Sequence, residues 1–244
     1  MRLTRSYVDM PLAVGGTVVL PESTANHLSR VLRLREGDPC VLFNGDGHDH
    51  PARIATVGKR EVTADILSSH PVDNESPLHI TLLQGIARGE KMDLILQKAT
   101  ELGVAAVVPV IAERTEVKLD AERTEKRLAH WRNVITSACE QSGRAIVPVL
   151  STPCALDEAA RGQAKEDTAL LTLDPQGEAS LGTVSIDGGR AVIAIGPEGG
   201  WSPRDRETLR QAGFTGLRLG PRILRTETAG LAAIAALQSR FGDL

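Results

Sequence analysis

The chain has 244 residues, is 41% hydrophobic and 24% charged, and carries a formal net charge of -3, which describes a globular protein with a core and excludes a disordered or fibrous chain. That charge excludes a globally basic coat for nucleic acid but leaves room for local arginine patches, and an aromatic content of 2% excludes extended stacking platforms for single-stranded bases. No apolar run approaches the roughly 18 residues of a membrane span, the arginine-bearing start has no continuous apolar h-region, and three scattered cysteines make neither a disulfide framework nor a metal pair, so a cytoplasmic protein without membrane or metal is expected.

Residues 1–70 read as β-rich. GTVVLP and CVLFN are short strands, and NGDGHDH carries the Asn-Gly/Asp-Gly chemistry of a tight turn. ARIATVG and EVTADIL, joined at Gly58-Lys59, suggest another hairpin arm, while PESTANHLSRVLRL predicts one short helix with Leu28, Val31, Leu32 and Leu34 apolar. Small strands around one helix suggest a compact barrel. The polar, proline-bearing SSHPVDNESP, residues 68–77, is the best linker.

Beyond it the pattern alternates between strand and helix. HITLLQGIA is a strand, and EKMDLILQKATELG is a helix with Met92, Ile95, Leu96, Ala99 and Leu102 on one stripe and Gly103 at its end. VAAVVPVIA is a strand, and EKRLAHWRNVITSACEQSG is a helix with Cys139 on its apolar stripe. Strands follow in AIVPVL, DTALLTLDP, AVIAI and LRLGP, with a short helix around LDEAARG. Ser202 is a natural N-cap with Pro203 behind it and Asp205 in the first turn, and an alanine-rich helix starts near Thr226. Repeated β-α units predict a mostly parallel sheet covered on both faces, hence an α/β second domain.

Two βα loops stand out, Gly196-Pro197-Glu198-Gly199-Gly200 and LGPRILRTETA over 219–229. Ligands of open α/β sheets sit at such loops, where glycines bring a ligand against bare backbone; a tight turn would use the same glycines. Arg222 and Arg225, taken as a lone pair of arginines, read first as helix-end surface charges. The GxGxxG and GxxxxGK[ST] fingerprints are absent, as is a GxSxG elbow. All six histidines precede residue 151, and the HDH of 48–50 reads as a solvated hairpin tip rather than a metal site.

At these loops the sequence resembles the knotted SPOUT-class RNA methyltransferases, in particular those acting on uridine N3 of 16S ribosomal RNA. GPEGGWS and LGPRILRTETA carry the resemblance. ANHLSRVLRL, SPLHITLLQGIARGEKMDLILQKATELGV, ERTEVKLD, ACEQSGR and ALQSRFGDL extend it over nearly the whole chain. Thr115 and Glu116 depart from the expected pattern. The resemblance implies a PUA-like RNA-binding β-barrel over 1–72 and a SPOUT domain over 73–244, with a deep trefoil knot formed by about 170–244 and a homodimer through that domain. It implies S-adenosylmethionine bound by Leu173, Gly196, Pro197, Glu198, Gly199, Leu219, Gly220, Ile223, Leu224 and Arg225. The substrate it implies is 16S rRNA in the assembled small subunit.

Methyl transfer at uridine N3 requires loss of a weakly acidic proton, and the resulting charge spreads onto O2 and O4, where cationic donors stabilise it. Arg225, Arg88 and Arg114 are the expected partners, with Glu198 or Glu227 as proton acceptor, a role that needs a raised pKa or a water relay. A non-enzymatic RNA- or ribosome-binding protein that keeps the pocket is the alternative.

Overall fold

The computed structural model describes residues 3–58, 61–117, 120–163 and 166–244. Lys59 of the expected hairpin turn and Lys118-Leu119 of ERTEVKLD lie outside the described residues. The chain forms two compact units, Met1–Glu75 with Thr136–Val147, and Ser76–Ile135 with Pro148–Leu244.

The first unit contains β1 (Arg5–Tyr7), β2 (Thr17–Val19), α1 (Glu22–Asn26), a π-helical turn (His27–Val31), β3 (Pro39–Phe43), β4 (His48–Val57), β5 (Val62–Ile66) and β6 (His70–Pro71). The strands run in the order β1-β3-β4-β5-β2, with β6 beside β4. Only β1 and β3 pair in parallel; the other pairs are antiparallel. β5 shows why the sequence chooses a strand: Val62, Ala64 and Ile66 alternate inward with period two. They meet Leu28, Leu42 and Ile54 in one core, and each large aliphatic side chain fully buried there stabilises the fold by roughly 1.5–3 kcal/mol.

Residues 136–147 join this unit through polar contacts that helical periodicity does not reveal. The Arg5 guanidinium reaches Asp49 Oδ1 at 2.6 Å, donates to the Cys139 carbonyl at 2.8 Å and lies over the Phe43 ring at 4.5 Å. Tyr7 N–H donates to Glu140 Oε1 at 2.9 Å, and Arg144 pairs with Glu75 at 2.5 Å. Cys139 is fully buried, as its stripe position suggests.

HDH is not a solvated tip. It opens β4, and His50 is only 3% exposed, with both ring nitrogens unbonded and Asp46 Oδ2 at 3.5 Å. The turn chemistry extends only to Gly47, three residues short of the expected stretch, because β4 begins at His48 and period two turns His50 inward.

The second unit continues with β7 (His79–Gly85), α2 (Glu90–Glu101), β8 (Ala106–Ile111), α3 (Ala121–Ser142, whose last residues belong to the first unit), β9 (Val149–Leu150), β10 (Cys154–Ala155) and α4 (Leu156–Gln163). It ends with β11 (Thr168–Leu173), β12 (Ala179–Ser180), β13 (Arg190–Ile195), α5 (Pro203–Gln211), β14 (Thr215–Arg218) and α6 (Thr226–Phe241). The sheet order is β10-β8-β7-β13-β11-β14-β12, with β9 on β8, and every pairing is parallel. AIVPVL shortens to the two residues of β9.

A parallel sheet buried on both faces needs continuously apolar strands, and β13 is buried from Ala191 to Ile195. Val192 and Ala194 pack with Leu156, Ala160, Leu209 and Phe214 beneath α4 and α5. Ile195 points the other way, toward Gly230 of α6. Helix α5 starts where Ser202 predicts: its hydroxyl accepts from Asp205 N–H at 3.0 Å, and Asp205 Oδ2 accepts from Ser202 N–H at 3.0 Å, a reciprocal capping box. No helix among the described residues is long and apolar enough to cross a membrane.

Candidate functional site

The site follows from strand order. β11 lies between β13 and β14, so the chain direction across the sheet reverses about β11, and the loops leaving the three strands converge at their carboxyl ends. They enclose a cavity of about 290 Å³, at the small end of the range for pockets that take organic ligands. Leu173, Gly196, Pro197, Glu198, Leu219 and Gly220 line it, as do Ile223, Leu224 and Arg225. Gly199 does not line it. Arg88, Arg114 and Glu227 also stand outside the lining.

The glycines of the first loop divide by purpose. A Cβ on Gly196 would lie 3.1 Å from Gly200 C, and one on Gly199 would lie 3.0 Å from Arg114 Cβ; these two are bare because the chain packs on them. Gly200 and Gly220 are different. Both line the cavity, both have positive φ (64° and 77°), and nothing lies within 4 Å of where either Cβ would stand. Here the bare backbone faces open space, where a bound molecule has room.

Hydrogen bonds, partly or fully buried, hold the loops. Thr226, the first residue of α6, donates its hydroxyl to the Gly196 carbonyl at 2.6 Å and accepts from Gln84 Nε2 at 3.1 Å. Gln84 is fully buried at the end of β7 and also donates to Gly85 O at 2.9 Å. Trp201 Nε1 donates to Thr172 Oγ1 at 3.0 Å, and that hydroxyl donates to Ala194 O at 3.2 Å. Gly85 lets β7 pass beneath the loop, since a Cβ there would fall 2.5 Å from Pro197 N.

The charged groups separate into tied and untied. Glu198 Oε1 accepts from Arg88 N–H at 3.0 Å and Lys91 Nζ at 3.3 Å. Partial burial works to raise its pKa, but these bonds outweigh it and hold the carboxyl below its ordinary value. Arg88 pairs through its guanidinium with Glu116, and Arg114 Nη1 donates to Gly199 O at 2.9 Å. Arg222 and Arg225 have no ion-pair partner among the described residues. Glu227, in the first turn of α6, keeps a buried Oε2 with no hydrogen bond.

Sequence reasoning missed Asp174 and Arg206, which form an ion pair on the cavity wall. Burial pushes the Asp174 carboxyl up, yet Gln176 N–H and the Arg206 guanidinium bring it below its ordinary value. It also missed Gln84, Thr172 and Thr226. A polar residue inside an otherwise apolar strand was the available signal for Gln84 and Thr172.

Comparison with known proteins agrees along the chain. An RNA methyltransferase domain family matches residues 74–238, and an RNA methyltransferase PUA domain family matches residues 20–67. Ribosomal RNA small subunit methyltransferase E of Buchnera aphidicola subsp. Schizaphis graminum is 32% identical over 100% of this chain and 98% of its own length. The enzyme of that name from Neisseria gonorrhoeae, solved bound to S-adenosyl methionine, is 43% identical with a TM-score of 0.92 and full coverage of both chains. A Legionella pneumophila protein solved with the bound cofactor SAM is 39% identical with a TM-score of 0.95, again over both full chains. The first unit is thus PUA-like and the second an RNA methyltransferase α/β domain.

Proposed function

The chain belongs to the RNA methyltransferase family that includes ribosomal RNA small subunit methyltransferase E, and on that premise we propose that it methylates N3 of a uridine in 16S rRNA, using S-adenosylmethionine. The observation that carries this reading is the convergence of both motif loops on one cavity at the carboxyl ends of β13, β11 and β14.

The residues present fit the cofactor. Gly200 and Gly220 leave open space over bare peptide groups, Leu173, Leu217, Leu219, Ile223 and Leu224 supply an apolar wall suited to an adenine ring, and charges of both signs suit a zwitterionic amino-acid end. When bound, the cofactor supplies a sulfonium methyl group for in-line transfer. Every other contribution comes from the chain. Loop positioning supplies much of the rate, because displacement depends on aligned reactants.

Arg225 is the electrostatic partner of the uracil oxygens. It stands on the cavity wall with no ion-pair partner among the described residues, so its charge is available to O2 and O4 as the N3 proton leaves. Arg114 acts one step removed, fixing the Gly199 carbonyl and hence the first loop. Arg88 does the same through its N–H on Glu198. Glu198 is a poor proton acceptor, because its donors already stabilise the anion. Glu227 has an unpartnered oxygen and is the remaining acceptor; since it stands outside the cavity lining, it acts through a water.

The reading further includes a cytoplasmic homodimer acting on the assembled small subunit, with PUA-like and SPOUT domains over 1–72 and 73–244 and a trefoil knot from about 170. Calorimetry should show S-adenosylmethionine or S-adenosylhomocysteine binding in preference to ATP. Mass mapping of RNA from assembled small subunits treated with the protein should then show one methylated uridine. Tight ATP binding without cofactor binding, or cofactor binding without methyl transfer, would sink the assignment.

A further inference from the structure

Outside the pocket, the segment His27–Arg35 departs from regular helix while Leu28 and Leu34 stay on the core of its unit. The helix begun by α1 widens into a π-turn at His27–Val31, closed by Leu32 N–H on His27 O at 3.0 Å; such widened turns are rare and occur frequently at functional sites. It then ends with Leu34 N–H on Leu28 O at 2.9 Å, which places Arg33 in the left-handed region at φ 59°. Glycine or asparagine ordinarily takes that helix-terminating position. An arginine there holds an unfavourable backbone conformation; the turn returns Leu34 to the core, while the Arg33 side chain is left exposed.

The charge pattern has the same asymmetry. Arg30, Arg33 and Arg35 are all exposed, and none has an ion-pair partner among the described residues. The nearest carboxylates along the chain are turned to the backbone: Asp38 Oδ2 accepts from Arg35 N–H at 2.7 Å, and Glu36 Oε1 accepts from Val57 N–H at 3.3 Å. Between the arginines, Val31 is 67% exposed and Leu32 40%. Three free guanidiniums on one short, strained turn, flanking an apolar pair, fit a polyanion whose phosphates alternate with flat apolar faces.

We infer that the turn His27–Arg35 is a phosphate-gripping surface through which the first unit holds the ribosomal RNA, with Arg30, Arg33 and Arg35 on the backbone and Val31-Leu32 against sugar or base faces. The inference rests on the proposed RNA substrate and adds the place and manner of the grip. Phosphate contacts position a nucleic acid without reading its sequence, so this surface sets affinity and salt dependence, and the choice of uridine is left to the pocket.

The test compares the full-length wild type with Arg33→Gly and with the triple variant Arg30→Ala/Arg33→Gly/Arg35→Ala. Binding to small-subunit ribosomal RNA, both naked and within assembled small subunits, is measured across a salt series, beside S-adenosylmethionine titration and thermal melting of each protein. Glycine adopts the left-handed region freely, so Arg33→Gly should melt no lower than wild type while binding RNA several-fold more weakly. The triple variant should lose about two to three from the slope of log affinity against log salt, and about 30-fold or more in affinity at 0.1 M salt. Cofactor affinity should not change. RNA affinity and slope equal to wild type in the triple variant would overturn the inference while leaving the methyltransferase reading intact. A wild type that binds the cofactor but no RNA would instead overturn the RNA substrate. Unchanged RNA binding with lost binding to RNA-free ribosomal proteins would reassign the surface to a protein partner.

Discussion

The hydroxyl of Thr226 and the carbonyl of Gly196 are joined at 2.6 Å, so the first turn of α6 and the loop after β13 share one part-buried hydrogen bond. Gln84 fixes its direction, because its amide donates to the same oxygen and the hydroxyl proton must go to Gly196. Both cavity loops are therefore held to β7 through one side chain. Thr226→Val keeps the shape and removes both bonds, leaving the part-buried Gly196 carbonyl without this donor and the buried Gln84 amide with only its bond to Gly85 O. The expected cost is about 1–3 kcal/mol in denaturant unfolding, with weaker cofactor binding by titration. Thr226→Ser should restore binding; loss of stability without loss of cofactor affinity would make the residue purely structural.

Arg225 separates chemistry from folding. It is exposed at the N-terminus of α6, and surface substitutions of this kind change stability by about 0.5 kcal/mol or less. Arg225→Ala should lower turnover by about a hundredfold or more, the scale of one lost transition-state donor, with an unchanged melting curve. Single-turnover methyl transfer would show it, and undiminished turnover would remove Arg225 from the mechanism.

The depressed pKa of Glu198 gives a signed pH dependence. Its folded value lies below the ordinary carboxylate value of about 4.3, so its bonds to Arg88 N–H and Lys91 contribute stability that is complete above that value. The contribution is lost as pH falls through the folded value. Glu198→Gln should therefore narrow its stability gap from wild type below about pH 4. If the residue anchors rather than accepts the proton, the pH–rate profile from roughly pH 6 to 9 should keep its inflections in Glu198→Gln. A lost acidic-limb inflection would restore Glu198 as the proton acceptor.

Two glycines should fail differently. Gly85→Ala would drive a methyl group onto Pro197 N, displacing the loop and destabilising the whole unit by several kcal/mol, as overpacking against backbone does. Gly220→Ala meets no neighbour; it should cost only the left-handed backbone penalty of about 1–2 kcal/mol, and its larger effect should be on cofactor affinity. Melting and calorimetry on the pair check this ordering, and equal loss of binding and stability at Gly220 would count against the open space as a ligand site.

The cysteines offer a chemical check. Burial pushes the Cys40 thiol up to about 11 and Cys139 to about 12, so neither supplies thiolate at neutral pH. Ellman titration of the native protein should find Cys154 as the fastest thiol, with all three reacting after denaturation. Rapid native modification of Cys139 would mean that the 136–147 segment opens readily.

Local physics alone determined much of this protein. Period-two and helical stripes located the main strands and helices, the Ser202–Asp205 capping box started α5 at the expected residue, and the order of units dictated a parallel sheet with loops at its carboxyl ends. The two motif loops were legible because glycine and proline constrain the backbone wherever they stand. Tertiary structure decided what long-range contacts decide. His50 turned inward, 136–147 joined the first unit through Arg5 and Tyr7, and the glycines divided into those the chain packs on and those facing open space. Pairing across the sheet brought Gln84 and Asp174 to the site, although they are distant in sequence from Thr226 and Arg206. Hydrogen bonds and ion pairs between residues tens of positions apart leave no periodicity behind, so only the folded chain shows which side chains hold the loops and which charges remain free.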